Sequence, residues 1–368
     1  MASSRILVIG GTGYIGQFIV GAAVAAGHST YALIRSSADS DPARAQRIQQ
    51  LKDSGVHIIH GCVRDHQSLV NAMRDIDVVI SVMGGKELTD QLKIVDAIKE
   101  LGDTVKRFLP SEFGHDIDRA EPVEPGLPFY NEKRKIRRAI EAANIPFTYI
   151  CCNSIAGWPY FYHIHPPELP PPTQEFEIYG DGNVKAYFVT GADIGKYTIK
   201  TVDDVRTLNK YVHFRPSKNF LTLNELACIW EKKIGKNLPR VYISEQELLH
   251  LAEANNIPES IVASLTHDIF IKGCQYNFEI DRPHDVEVSQ LYPEISYTSV
   301  EDFFDEYLPL PVPSQLEEKE NEGTHLFQFE EQGKEGSHLF QNDLPLAMPK
   351  AAPVTLAIPK AACTSSNF

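Results

Sequence analysis

The stretch Ile6-Leu-Val-Ile-Gly-Gly-Thr-Gly-Tyr-Ile-Gly16 decides the fold of this chain. Its apolar start predicts a buried parallel strand, and the apolar spacing from Phe18 to Ala26 predicts a helix after the glycines. Gly10 permits a tight turn, Gly13 lets a phosphate approach the backbone, and Gly16 lets the helix pack against the strand. The pyrophosphate of a dinucleotide would lie at the helix N-terminus, where unpaired N–H groups and the helix dipole favour an anion.

The glycine spacing, G-x-x-G-x-x-G, is a variant associated with extended short-chain reductases. A glycine-rich turn without a ligand is the alternative, but strand, glycines and helix follow in the order that the motif requires. Later in the chain, predicted strands and helices alternate, which predicts an α/β fold with a Rossmann-like doubly wound parallel sheet. The further strands are predicted at 29–34, 56–60, 76–85, 107–110 and 147–152, and the helices at 43–52, 89–101 and 131–143.

The second predicted strand ends at Arg35. An acidic residue there would accept from the ribose hydroxyls of NAD, whereas a basic residue pairs with the 2′-phosphate of NADP. Ser37 adds a hydroxyl and Arg44 adds a second cation. A solvated loop arginine is the alternative, but the position favours NADPH as the cofactor. Asp65, after the next strand, either meets the adenine or caps the following helix, and we favour the cap.

The length of 368 residues allows one large α/β domain or two smaller ones. We predict an NADP-binding Rossmann domain at 1–155, a smaller α/β substrate lobe at 156–313 and a mostly disordered tail at 314–368. A helix near 193–203 is expected to return to the first domain. In the tail, Glu322-Gly-Thr-His-Leu-Phe-Gln328 recurs as Glu335-Gly-Ser-His-Leu-Phe-Gln341, which is either a docking element or a duplication without consequence.

The formal charge of −14 argues against nucleic acid or an anionic membrane as the main partner. The six cysteines have no metal-binding spacing, so we expect reduced thiols and no metal site. Neither a signal-like apolar segment near the start nor a run long enough to span a membrane is found in the sequence. We therefore expect a cytoplasmic protein without membrane insertion, monomeric or weakly oligomeric, that acts on a small molecule.

Tyr130 and Lys133 are spaced i, i+3 and project from one face of the helix before the sixth strand. A lysine near apolar walls and a cationic cofactor ring would have a lowered pKa and could act as a general base. A solvated basic face is the alternative interpretation. Arg137, one turn further, either holds the cofactor or solvates the helix. The Tyr-x-x-x-Lys arrangement is absent from the sequence, which disfavours tyrosine-driven ketone reduction.

Ligands in doubly wound sheets bind beyond the carboxyl ends of the strands, which directs attention to 83–85 and 111–115. His115 follows the fifth predicted strand, where it could act as a general acid. Asp116 or Asp118 would then orient its ring. A satisfied, inert loop histidine is an equally good interpretation of the spacing alone.

The glycine motif, Arg35, the segment 107–114 and Lys133 resemble the isoflavone reductase-like plant reductases, an NmrA-type branch of the atypical short-chain reductases. That group includes pinoresinol–lariciresinol, isoflavone and phenylcoumaran benzylic ether reductases. Arg107-Phe-Leu-Pro110, Ile150-Cys-Cys-Asn153, Thr266-His-Asp268 and the C-terminal extension are similar to the members that reduce flavan-3,4-diols. Another benzylic reductase of the group, or an NADP sensor without turnover, remains the alternative.

The resemblance implies NADPH-dependent reduction of a flavan-3,4-diol at C4 to a flavan-3-ol such as catechin. Lys133 would deprotonate a ring phenol, directly or through water, and His115 would assist departure of the C4 hydroxyl as water. Tyr130 would help to place the substrate, and hydride would then reach C4 of a quinone methide. The implied cofactor contacts are Gly10, Thr12, Gly13, Tyr14, Ile15, Gly16, Arg35, Ser37, Arg44, Met83 and Arg137, and the implied substrate contacts are Gly84, Phe113, His115, Tyr130 and Asn153.

Overall fold

The structure is a computed structural model that describes residues 3–35, 42–156, 171–280 and 282–308. Its first half alternates strands and helices as predicted. The elements are β1 (Arg5–Ile9), α1 (Tyr14–Ala25), β2 (Ser29–Ile34), α2 (Pro42–Asp53), β3 (His57–His60), α3 (His66–Met73), β4 (Val78–Ser81), α4 (Gln91–Leu101), β5 (Arg107–Leu109), α5 (Gly126–Ala142) and β6 (Thr148–Cys151).

Two helix starts differ from the prediction. A 3-10 helix at Gly85–Asp90 precedes α4, where the sequence predicted α-helix from residue 89. Helix α5 begins at Gly126 rather than at residue 131. Proline is compatible with a first helical turn because the N–H groups there have no intrahelical partner, so Pro128 does not delay this helix.

The second half carries further strands and helices. They are β7 (Ser154–Ala156), β8 (Phe176–Tyr179), β9 (Lys185–Thr190), α6 (Gly191–Thr201), β10 (Lys210–His213), β11 (Phe220–Thr222), α7 (Leu223–Ile234), β12 (Arg240–Ile243), α8 (Glu245–Glu253), α9 (Glu259–Phe270), β13 (Asp285–Glu287), α10 (Val288–Leu291) and α11 (Val300–Phe303). Strand β9 pairs with β7 and β11, and β8 pairs with β12.

The main sheet is parallel, with the strand order β3-β2-β1-β4-β5. A parallel bridge between Phe108 and Phe147 connects β5 to the start of the β6 region. Strand β6 in turn pairs with β10, and β10 pairs with β13, both in parallel. The predicted doubly wound sheet is confirmed, and its order reverses between β1 and β4, where such sheets bind ligands.

Both faces of this sheet are buried. Ile6 and Val8 of β1 contribute to one apolar cluster, whereas Leu7 and Ile9 contribute to the cluster on the other face. A third cluster surrounds the fully buried Trp230 in the second half of the chain. Such continuous apolar strands are expected of a parallel sheet covered by helices on both sides.

Some predictions cannot be compared with the structure. The predicted tail at 314–368, its repeat and Ser37 lie outside the described residues, as does most of the loop expected at 159–172. The division into domains at 155 and 313 stays a prediction. None of the described helices combines the length and apolar character needed to cross a membrane.

Helix α6 packs closely on α1 because glycines face Phe18. A Cβ atom on Gly195 would overlap the Phe18 carbonyl oxygen, and one on Gly191 would overlap the Phe18 ring. The helix predicted near 193–203 therefore packs directly on α1, the helix that follows the glycine motif.

We expect Gly195→Ala to lower the free energy of unfolding by about 1–3 kcal/mol, since a methyl group there must push two helix backbones apart. Gly21→Ala is the matched control, because Gly21 is exposed on α1 with open space around its Cβ position. That control should be neutral or should stabilise by up to ~1 kcal/mol. Urea unfolding measures both, and equal stability of the two variants would contradict this packing.

Candidate active site

A cavity of about 300 Å³ lies at the carboxyl ends of β1 to β4. Helix α1 begins at this cavity, and Gly13 caps it without a side chain that could occupy its first N–H groups. These groups and the helix dipole suit an anion such as a pyrophosphate. Of the predicted residues, the cavity is lined by Gly10, Thr12, Gly13, Arg35, Arg44, Met83 and Gly84.

The cavity wall carries several charges. The half-exposed Arg35 donates to Glu87 at 2.8 Å, and Arg64 donates to Asp90 at 2.8 Å. The sequence analysis did not predict Arg64, Glu87 or Asp90 at this site. Arg64 could have been predicted, because it follows β3 and ligands of such sheets bind beyond the carboxyl ends of the strands. Because Arg35 is partly exposed at the cavity, it can exchange Glu87 for a phosphate.

Three other predicted cofactor residues, at the start of α1, make packing contacts within the protein. Ile15 is buried in the core, and Gly16 packs on Gly10, whose carbonyl a Cβ at residue 16 would overlap. Tyr14 contacts Phe18 edge to face, with ring centres 5.4 Å apart.

Asp65 caps α3, because its side chain accepts from the Ser68 N–H at 3.2 Å. This is the role that we favoured from the sequence. An adenine contact at Asp65 therefore finds no support in the observed geometry.

The loop at residues 111–116 follows β5 and is held from three directions. Gln91 accepts from the Ser111 N–H at 2.7 Å, and the Asn153 N–H donates to the Gly114 carbonyl at 2.9 Å. Lys133 Nζ donates to the Glu112 carbonyl at 2.7 Å. Within this loop, Phe113 has a positive φ of 27°, a strained conformation that persists only where its surroundings enforce it.

Arg137 is fully buried beneath this loop. It donates to both carboxylate oxygens of Glu112, at 3.0 and 2.9 Å, and to Asp116 at 2.7 Å. Its guanidinium also lies 4.8 and 4.9 Å from the ring centres of Tyr149 and Tyr211. The prediction that Arg137 holds the cofactor is wrong, because its side chain has no exposed surface and its donors bind the loop.

Tyr130, His115 and Lys133 come together on this side of the sheet. The Tyr130 hydroxyl and His115 Nε2 share a hydrogen bond, and their ring centres are 5.2 Å apart. Both side chains are buried, and Lys133 Nζ lies 5.7 Å from the centre of the Phe129 ring. Helix α5 therefore supplies two of the three predicted catalytic residues, and the loop after β5 supplies the third.

Burial shifts two of these groups toward their neutral forms. It lowers the pKa of His115 to about 3, and the positive charge of Lys133 adds to this effect, while Asp116 opposes it. Burial also lowers the pKa of Lys133, although Glu112 opposes this, and the charge of Arg137 adds to the lowering. His115 is therefore neutral near pH 7, and Lys133 is better suited to accept a proton than a solvated lysine.

The expected orientation of His115 by Asp116 or Asp118 is wrong. Both carboxylates bind Arg137, at 2.7 and 3.0 Å. Instead, a carboxylate oxygen of Asp268 lies within 4.8 Å of a His115 ring nitrogen. The resemblance had singled out the segment 266–268 but gave Asp268 no role, because Asp268 is on α9, far away in the chain, and only packing brings it to the loop.

The predicted substrate residues have different surroundings. Asn153 is buried in a left-handed conformation with φ of 62°, and its side chain donates to the Phe214 carbonyl at 2.7 Å. Its backbone N–H holds the loop at Gly114, and its predicted substrate contact stays a prediction. Phe113 packs in the core, while Gly84 lines the cavity at the end of β4.

Replacement of Arg137 by methionine should lower the free energy of unfolding by about 3–5 kcal/mol, because two buried carboxylates lose their counter-charge. Arg138→Met is the matched control, since the neighbouring Arg138 is 54% exposed and its ion pairs should contribute at most about 1 kcal/mol. Denaturant unfolding of both variants tests this difference. Equal losses would show that Arg137 does not hold the loop.

The chain matches the model of the NmrA-like family over residues 2–304. It is 54% identical to leucoanthocyanidin reductase from Desmodium uncinatum over 84% of this chain and 81% of that protein. It is 48% identical to phenylcoumaran benzylic ether reductase TP7 from Nicotiana tabacum, over 83% of this chain and 99% of that protein.

Solved structures are similar as well. The binary complex of leucoanthocyanidin reductase and NADPH from Vitis vinifera is 55% identical, with a TM-score of 0.79 over 82% of this chain and 99% of that chain. The sequence similarity, the fold and the glycine motif at the point where the strand order reverses all indicate the same family. This chain belongs to the NmrA-like family.

Proposed function

We propose that this protein is an NADPH-dependent oxidoreductase that reduces flavan-3,4-diols at C4 to flavan-3-ols, the activity of a leucoanthocyanidin reductase. The observation that carries the proposal is the buried pair of Tyr130 and His115, together with Lys133, whose Nζ binds the backbone of the loop that carries His115. The identity of 54% to a leucoanthocyanidin reductase supports the same substrate class.

The cavity fits NADPH, which would supply the hydride when bound. The N-terminus of α1, with Gly10 and Gly13, would hold the pyrophosphate. Arg35 and Arg44 lie on the cavity wall, where they would hold the 2′-phosphate after Arg35 leaves Glu87.

Lys133 begins the reaction as the general base. Its lowered pKa favours the neutral amine, which takes the proton of a ring phenol directly or through water. The phenolate then pushes electrons toward C4, where the bond to the hydroxyl oxygen breaks. This explains why no Tyr-x-x-x-Lys is needed, since the carbon that is reduced carries a benzylic hydroxyl rather than a ketone.

Departure of the C4 hydroxyl needs a proton, because hydroxide is a poor leaving group. His115 assists this step so that the group leaves as water, and Tyr130 helps to place the substrate. NADPH held in the cavity would supply the hydride for C4 of the quinone methide, and the residues that hold the two molecules close would determine the rate of that transfer. The Lys133 ammonium returns its proton to the phenolate oxygen, which restores the base.

The alternative is another benzylic reductase of the same group, favoured by the 48% identity to a phenylcoumaran benzylic ether reductase. Product analysis after incubation with NADPH and leucocyanidin, pinoresinol, a phenylcoumaran or an isoflavone separates the two. Catechin formation at the highest kcat/KM supports the proposal. Faster turnover of a lignan or an isoflavone overturns the substrate class, and NADPH binding without any product would indicate a sensor.

We expect Arg35→Asp to lower kcat/KM for NADPH by about ten- to a hundredfold, since it removes a charge-assisted bond worth about 1.5–3 kcal/mol. The kcat/KM for NADH should change little, because NADH lacks the 2′-phosphate. Arg74→Asp is the charge-matched control, because Arg74 is exposed at the C-terminal end of α3, outside the cavity lining. An unchanged NADPH preference in Arg35→Asp would contradict the assignment.

Lys133→Ala should lower kcat by about 10²–10⁴-fold on the substrate that wild type reduces, the usual contribution of a general base. Lys135→Ala is the control, since Lys135 lies on the same helix but is 62% exposed and paired with Glu132. Stopped-flow NADPH consumption and circular dichroism check activity and folding. Near wild-type turnover in Lys133→Ala would remove it from the mechanism.

We further propose a cytoplasmic location and a monomeric or weakly oligomeric state, with a flavonoid as the small-molecule partner and no nucleic acid. The boundaries 1–155, 156–313 and 314–368 are proposed for the cofactor domain, the substrate lobe and the tail.

A further inference from the structure

The proposed reaction consumes one proton that Lys133 does not supply. The phenolic proton that Lys133 takes returns to the product, so the proton that leaves in water must come from elsewhere. His115 can pass on a proton, but it is neutral near pH 7 and does not store one. A second acid behind His115 would supply this proton.

Asp268 occupies that position. A ring nitrogen of His115, a carboxylate oxygen of Asp268 and Cys274 Sγ all lie within 4.8 Å of one another, and all three residues are buried. Because His115 Nε2 bonds to Tyr130, Nδ1 is the nitrogen left for Asp268. Tyr130 is thus hydrogen-bonded to His115, and Asp268 on α9 lies within 4.8 Å of a His115 ring nitrogen.

The surroundings of Asp268 favour its protonated form. Its Oδ2 is buried, and no hydrogen-bond partner for this atom is found among the described residues. Burial raises the pKa of Asp268, and Glu121 adds to this, while the Cys274 thiol, the Glu121 backbone and His267 oppose it. A proton on the carboxyl group removes the cost of an unpaired buried charge. Among the described residues, Glu121, His267, Cys274 and His115 are the titratable groups near Asp268.

We propose that Asp268 is the positioning residue behind His115 and the source of the proton that leaves in water. The Asp268 O–H bond breaks as an N–H bond forms at Nδ1, and the proton on Nε2 passes to the Tyr130 oxygen. The Tyr130 hydroxyl proton goes to the departing C4 oxygen as the C4–O bond breaks, which forms water. A solvent proton then restores Asp268, so substrate, NADPH and one proton become product, NADP⁺ and water.

The inference rests on the proposed function for its substrate but not for its proton transfer. Leucocyanidin, pinoresinol and a phenylcoumaran each carry a benzylic C–O bond whose oxygen must be protonated. If the wild-type protein reduces only pinoresinol or the phenylcoumaran, the proposed substrate class is wrong. The proton transfer from Asp268 is then tested on the substrate that is reduced. The two failures are therefore distinguishable.

The variant that tests the relay is Asp268→Asn, which keeps the size of the side chain and removes the acidic proton. The control is Thr266→Val on the same helix, because the Thr266 hydroxyl is also buried and unpartnered within the described residues. We expect kcat to fall about 10²-fold in Asp268→Asn with KM nearly unchanged, and to change less than about twofold in Thr266→Val. Asp268→Glu should recover part of the loss.

The pH profile separates proton supply from a structural role. Because the relay needs protonated Asp268, wild-type kcat should fall as pH rises through its pKa, and Asp268→Asn should lose this limb. A second readout does not depend on turnover: ¹⁵N shifts of His115 should change in Asp268→Asn and stay the same in Thr266→Val. Circular dichroism confirms that each variant is folded.

Two results would overturn the inference. One is wild-type kcat together with unchanged His115 shifts in folded Asp268→Asn. The other is loss of activity after treatment with a chelator and recovery with zinc, which would assign His115, Asp268 and Cys274 to a metal site instead. Proton transfer from Asp268 is supported if activity is retained in the chelator, the ¹⁵N shifts of His115 change only in Asp268→Asn, and this variant loses the fall of kcat at high pH.

Discussion

The buried ion cluster around Arg137 is the interaction on which the candidate site depends. One guanidinium binds Glu112 and Asp116, which lie at both ends of the loop that carries His115. A buried ion pair adds little net stability compared with apolar packing, but removal of one partner leaves an uncompensated charge in the core. The cluster therefore enforces one loop conformation, including the strained backbone of Phe113.

Helix α5 links this structural role to the chemistry. Tyr130, Lys133 and Arg137 follow one another at intervals of three and four residues, so they share one face of the helix. Each of them contacts the same loop, through His115, the Glu112 carbonyl and the Glu112 carboxylate. A rotation of α5 would displace all three contacts together, so Lys133 and Arg137 cannot move independently.

Burial then determines which groups carry protons. His115 loses its basic character, and Lys133 moves toward the neutral amine, because the charged forms of both are poorly solvated. Asp268 is shifted in the opposite direction, toward the neutral acid, for the same reason. Burial thus shifts His115 and Lys133 toward their neutral bases and Asp268 toward its neutral acid.

The sequence by itself determined the glycine motif, the parallel sheet, the cation at residue 35 and the shared face of Tyr130 and Lys133. All of these follow from local spacing, since helix and strand periods and the geometry of a strand–turn–helix unit depend on neighbouring residues. Only the tertiary structure decided that Arg137 is buried, that Asp116 binds arginine rather than His115, and that Asp268 lies beside His115. Burial and partners of a charged side chain are set by packing of distant segments, and spacing along the chain carries no information about them.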